Sequence, residues 1–174
     1  MDDMIQKKMK ARADAVFYIS SARRSSGKVR DMLARKGHDP SLIEEVVNEL
    51  ISDGRIDDRT AALSIIRSRK GSKAESSAAL IKRMKRLGIP ANIAVQAVKE
   101  EFTSHQDDFE NAFDLLNLKF SSKAYTIHSD EYEECNKFKS RMYRFLMSRG
   151  YSEGVAASAV MRFMEENETD GKSG

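Results

Sequence analysis

The sequence predicts an all-α protein, on three observations. It has no Trp and only two Pro in 174 residues, while Ala, Met, Lys, Arg and Glu are abundant, a composition that favours helix over sheet. Apolar residues recur at helical spacing on both sides of three glycine-containing breaks, LARKGHDPSLIEEVV from Leu33, KRMKRLGIPANIAVQAV from Lys82 and LMSRGYSEGVAASAV from Leu146. The breaks also share one register. With Gly37, Gly88 and Gly150 aligned, apolar residues fall eight before (Val29, Leu80, Met142) and four before (Leu33, Met84, Leu146). After the glycine come His38, Ile89 and Tyr151, then Leu42, Ile93 and Val155, then Val47, Val98 and Val160. Repetition at such an interval marks an α-helical repeat, so the expected architecture is three tandem three-helix repeats in an elongated, curved, solenoid-like molecule.

The elements follow in order. Residues 1–10 read as an N-terminal tail and residues 11–56 as the first repeat, whose leading helix carries Val16, Phe17 and Ile19. Residues 57–104 form the second, led by Ala62, Leu63, Ile65 and Ile66. Residues 105–166 form the third, led by Phe109, Ala112, Phe113 and Leu116. The longer last interval comes from residues 121–134, SSKAYTIHSDEYEE, read as an inserted loop from which Tyr125, Ile127 and Tyr132 can dock on a neighbour. Residues 167–174 read as a C-terminal tail.

Each break is a tight corner between two helices. Gly accepts the left-handed backbone of a helix C′ position and lets the last carbonyls be satisfied. Asp39 or Ser41, and Ser152, are placed to cap the following helix, and Pro40 and Pro90 suit its first turn. One three-helix unit buries little apolar area, so neighbouring units are expected to share a core.

Several function classes are excluded or disfavoured. No apolar run approaches the ~18 to 20 residues of a bilayer span, and MDDMIQKKMK lacks the apolar stretch of a secretory signal, which points to a cytoplasmic protein with no membrane partner. The single Cys135 forms no internal disulfide, consistent with a reducing compartment. His38, His105 and His128 sit in three different contexts without a metal-ligand motif, so neither metal nor cofactor is expected. His38 takes the slot of Ile89 and Tyr151 and so is a packing residue; His105 with Asp107 and Asp108 reads as an acidic helix start. SSGKV around Lys28 resembles the end of a phosphate loop but lacks the upstream Gly and has Val29 where magnesium needs Ser or Thr. The adjacent carboxylates Asp57 and Asp58 suit capping better than acid-base work, and the expectation is a non-enzyme.

Charge is the informative residue class. The net charge is only +3, yet 33% of residues are charged and the signs are segregated. The middle helix of each repeat is basic, with Lys28, Arg30, Arg35 and Lys36, then Lys82, Arg83, Lys85 and Arg86, then Lys137, Lys139, Arg141, Arg144 and Arg149. Third helices are acidic where charged, with Glu44, Glu45, Glu49 and Asp53 in the first and Glu165 and Glu166 in the last. Relative to the glycine, cations recur at two before (Arg35, Arg86), six before (Lys82, Arg144) and nine before (Lys28, Arg141), one stripe turned away from the apolar face. The alternative is an ordinary solvated face, partly neutralised by the acidic helix of the same unit. The partner-binding candidates are Lys28, Arg35, Lys36, Lys82, Arg83, Arg86, Arg141, Arg144 and Arg149, facing a polyanion or an acidic groove. A helix-turn-helix reading of duplex DNA is disfavoured because Glu44, Glu45 and Glu49 lie on the helix that would enter the major groove.

Taken together these segments resemble the RecX family of bacterial recombination regulators. The likeness is clearest in SSGKVRDMLARKGHDPSLIEEVVNELISDGRIDD, Ser25 to Asp58, continues through LIKRMKRLGIPANIAVQAV and ends in FLMSRGYSEGVAASAV. It covers the chain from about Ala11 to Glu166. Arg55 stands where the family usually has an aromatic, and Thr60-Ala61 where an Arg-Phe-Ala run is common. The resemblance implies a non-enzymatic modulator that lies in the groove of the RecA recombinase filament and inhibits ATP hydrolysis and strand exchange in recombination and DNA repair; the expected architecture is that of a monomer. The charge stripe by itself also fits a sequence-independent DNA-binding helical module, with weak, salt-dependent affinity for phosphates.

Overall fold

The computed structural model describes residues 2–102, 105–124 and 132–170. Among them all regular structure is helical: α1 (Asp2–Ser20), α2 (Ser26–Arg35), α3 (Pro40–Ser52), α4 (Asp58–Ser68), α5 (Ser77–Arg86), α6 (Ala91–Glu101), α7 (His105–Ala124), α8 (Tyr132–Ser148) and α9 (Glu153–Asp170), with one 3-10 turn at Gly71–Lys73. The all-α expectation holds, and the helices fall into three consecutive sets of three. α2, α5 and α8 are the middle helices, each ending at one of the aligned glycines.

The three corners are one structure made three times. Gly37, Gly88 and Gly150 have φ of 80°, 81° and 84°. In each, the N–H of the next residue reaches back to the carbonyl four before the glycine: His38 to Leu33 at 3.2 Å, Ile89 to Met84 at 3.0 Å and Tyr151 to Leu146 at 3.3 Å. The glycine N–H itself bonds three residues back, to Ala34, Lys85 and Met147. This is the Schellman closure of a helix, which satisfies two carbonyls that the last turn leaves unpaired. The residues at eight and four before, Val29, Leu33, Leu80, Met84, Met142 and Leu146, are all 0% exposed, so the register read from sequence is the register of burial. Truncating Leu33 or Leu146 to Ala leaves a cavity costing about 2 to 5 kcal/mol.

Asp39 caps α3 by accepting from Ser41 N–H at 2.9 Å, with Pro40 in the first helical position. Ser152 accepts from Val155 N–H at 3.4 Å at the start of α9, while Pro90 immediately precedes α6 and accepts from Ala94 through its carbonyl.

The chain divides into two compact units, residues 1–65 with 81–97, and residues 66–80 with 98–174. The first is cored by Ala11 and Ala15 of α1, Val29, Met32 and Leu33 of α2, and Leu42, Ile43, Val46, Val47 and Leu50 of α3, closed by Ile56. α1 departs from expectation. Its buried residues are the small Ala11 and Ala15, whereas Phe17 is 78% exposed. Residues 2–10, expected as a tail, are helical. Lys8 pairs with Glu45 and Glu49, and Arg12 with Glu49 and Asp53, so a polar seam ties α1 to α3 where an apolar stripe was sought. Apolar periodicity is blind to such a seam.

The second unit is cored by aromatics. Phe120 of α7 meets Phe138 and Phe145 of α8 edge to face at 5.7 and 5.6 Å between centroids, and Phe163 of α9 and Tyr151 complete the set. The expected loop 121–134 is narrowed at both ends: residues 121–124 continue α7 and residues 132–134 open α8. Tyr132 is 81% exposed, and Tyr125 and Ile127 lie outside the described residues. Of the expected C-terminal tail, residues 167–170 extend α9.

Candidate functional site

Two features recur in this fold: a joint at the start of a middle helix, and a set of cations further along it. The joint was not anticipated from sequence. At the start of α2, Ser25 Oγ accepts from Lys28 N–H at 3.4 Å and donates to the Leu87 carbonyl at 2.6 Å, while Gly27 N–H donates to the Gly88 carbonyl at 3.0 Å. Ser26 N–H donates to Asp58 Oδ1 at 2.9 Å, and Asp58 is buried. At the start of α5, Ser76 Oγ accepts from Ala79 N–H and donates to the Gly150 carbonyl, and Ser76 N–H donates to Arg149 O at 3.2 Å. Ser77 N–H and Oγ both donate to Asp108 Oδ1, at 2.9 and 2.8 Å. α2 and α5 therefore each begin by capping the corner of the next middle helix, and a carboxylate from the intervening leading helix caps each in turn. The Ser-Ser pairs Ser25-Ser26 and Ser76-Ser77 repeat at the spacing of Gly37 and Gly88, and that was the available signal.

The same contacts settle the SSGKV and IDDR segments. In SSG, the Ser25 hydroxyl and the Ser26 and Gly27 N–H groups are all engaged in the joint. Asp57 caps α4 by accepting from Thr60 N–H at 2.9 Å, its pKa lowered first by the Thr60 side chain and then by that N–H, and Asp58 caps α2. The expectation that these carboxylates cap helices holds.

Of the α2 cations, several are neutralised. Arg30 meets Glu44 with two hydrogen bonds, at 2.8 and 3.0 Å. Lys36 pairs with Asp14, whose other oxygen lies 2.8 Å from His38 Nε2; the Lys36 and His38 bonds hold the Asp14 carboxyl below its usual range. His38 is thus a packing residue with a polar anchor. Lys28 lies 3.8 Å from Asp31. Arg35 is exposed and donates to the backbone carbonyl of Asp31, at 3.1 Å, with no carboxylate paired to it among the described residues.

On α5, Lys82, Lys85 and Arg86 are exposed and meet no carboxylate among the described residues, while Arg83 is half-buried and engaged. Arg83, Lys85 and Arg86 lie in the last turn, which also suits the negative end of the helix dipole. On α8, Arg144 is exposed and donates to the Ser140 carbonyl at 3.2 Å. The Arg141 guanidinium lies 5.9 Å from the Phe120 ring centroid and that of Arg149 5.2 Å from Phe145. Lys119 of α7, which the repeat register did not select, puts Nζ 3.7 Å from the Phe145 centroid. Four residues, Arg35, Lys82, Arg86 and Arg144, thus combine the repeated register with exposure and no pairing carboxylate among the described residues, and Arg141, which also faces the Phe120 ring, makes a fifth.

Among the described residues no group of three or more His, Cys, Asp or Glu is placed to hold a metal ion, and no helix is long and apolar enough to cross a membrane. The side chains of His105 and Asp107, and all of His128, lie outside the described residues.

Comparison with known proteins bears on this arrangement. The family model described as "RecX, first three-helix domain" matches residues 11–50, which hold α2, the Gly37 corner and most of α1 and α3. The chain is 25% identical over 159 residues to the regulatory protein RecX of Bacillus cytotoxicus, covering 91% of this chain and 56% of that protein. It is 25% identical over 165 residues to that of Geobacillus kaustophilus, covering 91% and 58%. The chain therefore spans little more than half the length of these curated relatives. In fold it is similar to the crystal structure of RecX from Lactobacillus salivarius, with a TM-score of 0.70 at 19% identity over 91% of this chain and 97% of that one. A second crystal structure of regulatory protein RecX aligns with a TM-score of 0.65 at 17% identity over 88% and 72%. With a matching first domain, relatives along nearly the whole chain and a shared helical fold, the chain is similar to RecX proteins in both sequence and fold.

Proposed function

We propose that this chain is a RecX family protein, a non-enzymatic regulator of homologous recombination and DNA repair, which binds the RecA–DNA filament and inhibits its ATPase and strand exchange. The observation that carries the reading is the set of exposed cations with no pairing carboxylate among the described residues, Arg35, Lys82, Arg86 and Arg144, presented at repeating positions on helices that all end in the same corner. A filament repeats acidic protein surface and phosphate along its length, and a binder that repeats its cations gains from linked weak contacts. The protein acts as a monomer in the cytoplasm and needs no cofactor. Its own affinity for bare DNA is weak and falls steeply with salt.

The test is recombinase ATPase on single-stranded DNA, titrated with this protein. Progressive loss of ATP hydrolysis supports the reading. Unchanged hydrolysis at saturating protein removes it and favours the DNA-binding module.

A further inference from the structure

The second unit carries a feature that a uniformly basic stripe does not account for. Between α8 and α9 lies an open groove of about 890 Å³ with a mostly apolar floor, formed by Tyr143 of α8 and Val160 and Met161 of α9. Met161 is 62% exposed although its neighbour Val160 is buried, so an apolar side chain faces solvent on a helix whose other face is already packed in the core. Lys137 and Arg144, on the α8 rim, are two helical turns apart, about 10 Å along the groove. Lys137 is 63% exposed and shared with Glu134 at 3.1 Å; Arg144 donates to the Ser140 carbonyl and pairs with no carboxylate among the described residues. Glu133 closes one end with a negative charge.

Apolar floor and cationic rim together select a ligand. Phosphate backbone gains from the cations but nothing from Met161 and Val160. A peptide with an apolar side chain flanked by carboxylates satisfies both. The thioether of an exposed Met adapts to such an anchor, and the rim cations supply charge-assisted hydrogen bonds. The span from Glu133 to Arg144, about 16 Å of helix, takes about three turns of a helical peptide.

We infer that the α8–α9 groove is a docking site for an acidic, amphipathic protein segment, whose apolar side chain seats on Met161 and Val160 between carboxylates held by Lys137 and Arg144. The inference deepens the recombinase reading, on which it rests for the identity of the partner but not for the chemistry of the segment. It divides the binding surface by chemistry: cations alone on α2 and α5, cations over an apolar seat on α8.

The experiment places the photo-crosslinking residue p-benzoylphenylalanine at position 161 of the full chain, which is then irradiated with the recombinase–DNA filament. Cross-linked peptides are identified by mass spectrometry. In parallel, Met161→Glu and the pair Lys137→Glu with Arg144→Glu are measured for filament affinity, with circular dichroism confirming unchanged helicity. The expected result is a cross-link to a recombinase segment with net acidic charge and an apolar residue, and filament affinity reduced about tenfold or more by each variant. Cross-linking to DNA alone, to a basic segment or to nothing, with wild type bound to the filament, overturns the groove assignment and leaves the recombinase reading standing. If wild type itself does not bind the filament, the recombinase reading falls instead. The groove is then decided with a synthetic helical peptide of about three turns bearing Glu on one face and Leu on the other, and its Gln counterpart. Saturable binding of the Glu peptide, lost in Met161→Glu and in the Gln peptide, supports the site; no binding at millimolar peptide overturns it.

Discussion

The backbone N–H of Gly27 donates to the carbonyl of Gly88 at 3.0 Å, so α2 begins where α5 ends with no side chain between them. A Cβ on Gly27 would lie 2.4 Å from Gly88 O, and one on Gly88 would lie 2.7 Å from Ser25 Oγ and 2.8 Å from Lys28 N. At Gly37 the same added atom meets nothing within 4 Å. The two corner glycines share a left-handed φ but differ in what presses on them.

That difference makes a graded prediction. Gly37→Ala carries only the cost of positive φ, about 1 to 2 kcal/mol. Gly88→Ala carries that cost and also forces the joint apart, so its loss exceeds that of Gly37→Ala by about 1 kcal/mol or more. Gly27→Ala gains about 1 kcal/mol of helix propensity yet is still destabilising, because the carbonyl it strikes is backbone. Urea midpoints of the three variants decide this; equal losses at Gly37 and Gly88 would show that the joint contributes nothing.

The Gly corners were legible in the sequence because they combine a rare backbone requirement with apolar residues at fixed offsets, and local rules determine both. The joint was not legible in that way. Ser25, Ser26 and Gly27 meet Leu87, Gly88 and Asp58 across long sequence separations, through hydrogen bonds whose trace in the sequence is the repeated Ser-Ser pair and not an apolar period. α1 was underestimated for a related reason, since its hold on α3 runs through Lys8 and Arg12 rather than through Phe17. The basic stripe was legible as a pattern, but which cations are spent on internal pairs was not. Lys36 and Arg30 look like Arg35 in one dimension, and only the fold sets Asp14 and Glu44 beside the first two.

Tyr151 supplies a second test. Its ring is buried at 2% exposure, and its hydroxyl finds no hydrogen-bond partner among the described residues. Burial, with a smaller push from the Asp108 charge, moves its pKa well above the usual phenol value. Tyr151→Phe keeps the packing and removes an unsatisfied polar atom, so the melting temperature is expected to stay level or rise. A loss of more than about 1 kcal/mol would mean that the hydroxyl is hydrogen-bonded in solution.

Acid stability follows from the α1–α2 contact. The Asp14 carboxyl is held below its ordinary value of 3.8, first by the Lys36 bond and then by His38, and Arg30 lowers Glu44 from 4.5 in the same way. A carboxylate depressed in the folded state stabilises it above the unfolded pKa, and that contribution is lost as pH falls through the folded one. Wild type is therefore expected to lose stability as pH drops below about 4. Asp14→Asn is less stable than wild type at neutral pH, and the gap closes at the acid end. A gap of constant size from neutral pH to about pH 2 would assign the Asp14 effect to packing instead of charge.

The last prediction concerns the exposed cations that meet no carboxylate among the described residues. Reversing Arg35, Lys82, Arg86 and Arg144 to Glu touches no buried side chain and breaks no ion pair among the described residues, so helicity by circular dichroism should be unchanged. If these residues face the recombinase filament, the quadruple variant should no longer suppress its ATPase. Reversal of Lys36, which is engaged with Asp14, should act through stability first. Wild type should bind the recombinase–DNA filament far more tightly than bare DNA at physiological salt, because phosphate neutralisation alone is screened away there while contacts linked along a filament are not. Stacking adds little to bare-DNA affinity, since Phe145 is half-buried and already covered by Lys119 and Arg149. Fluorescence anisotropy with the same labelled oligonucleotide, bare or coated with recombinase, in one buffer, measures the ratio directly. Equal affinity for the two, with ATPase suppression retained by the quadruple variant, would show that these cations serve DNA or solubility and not the filament.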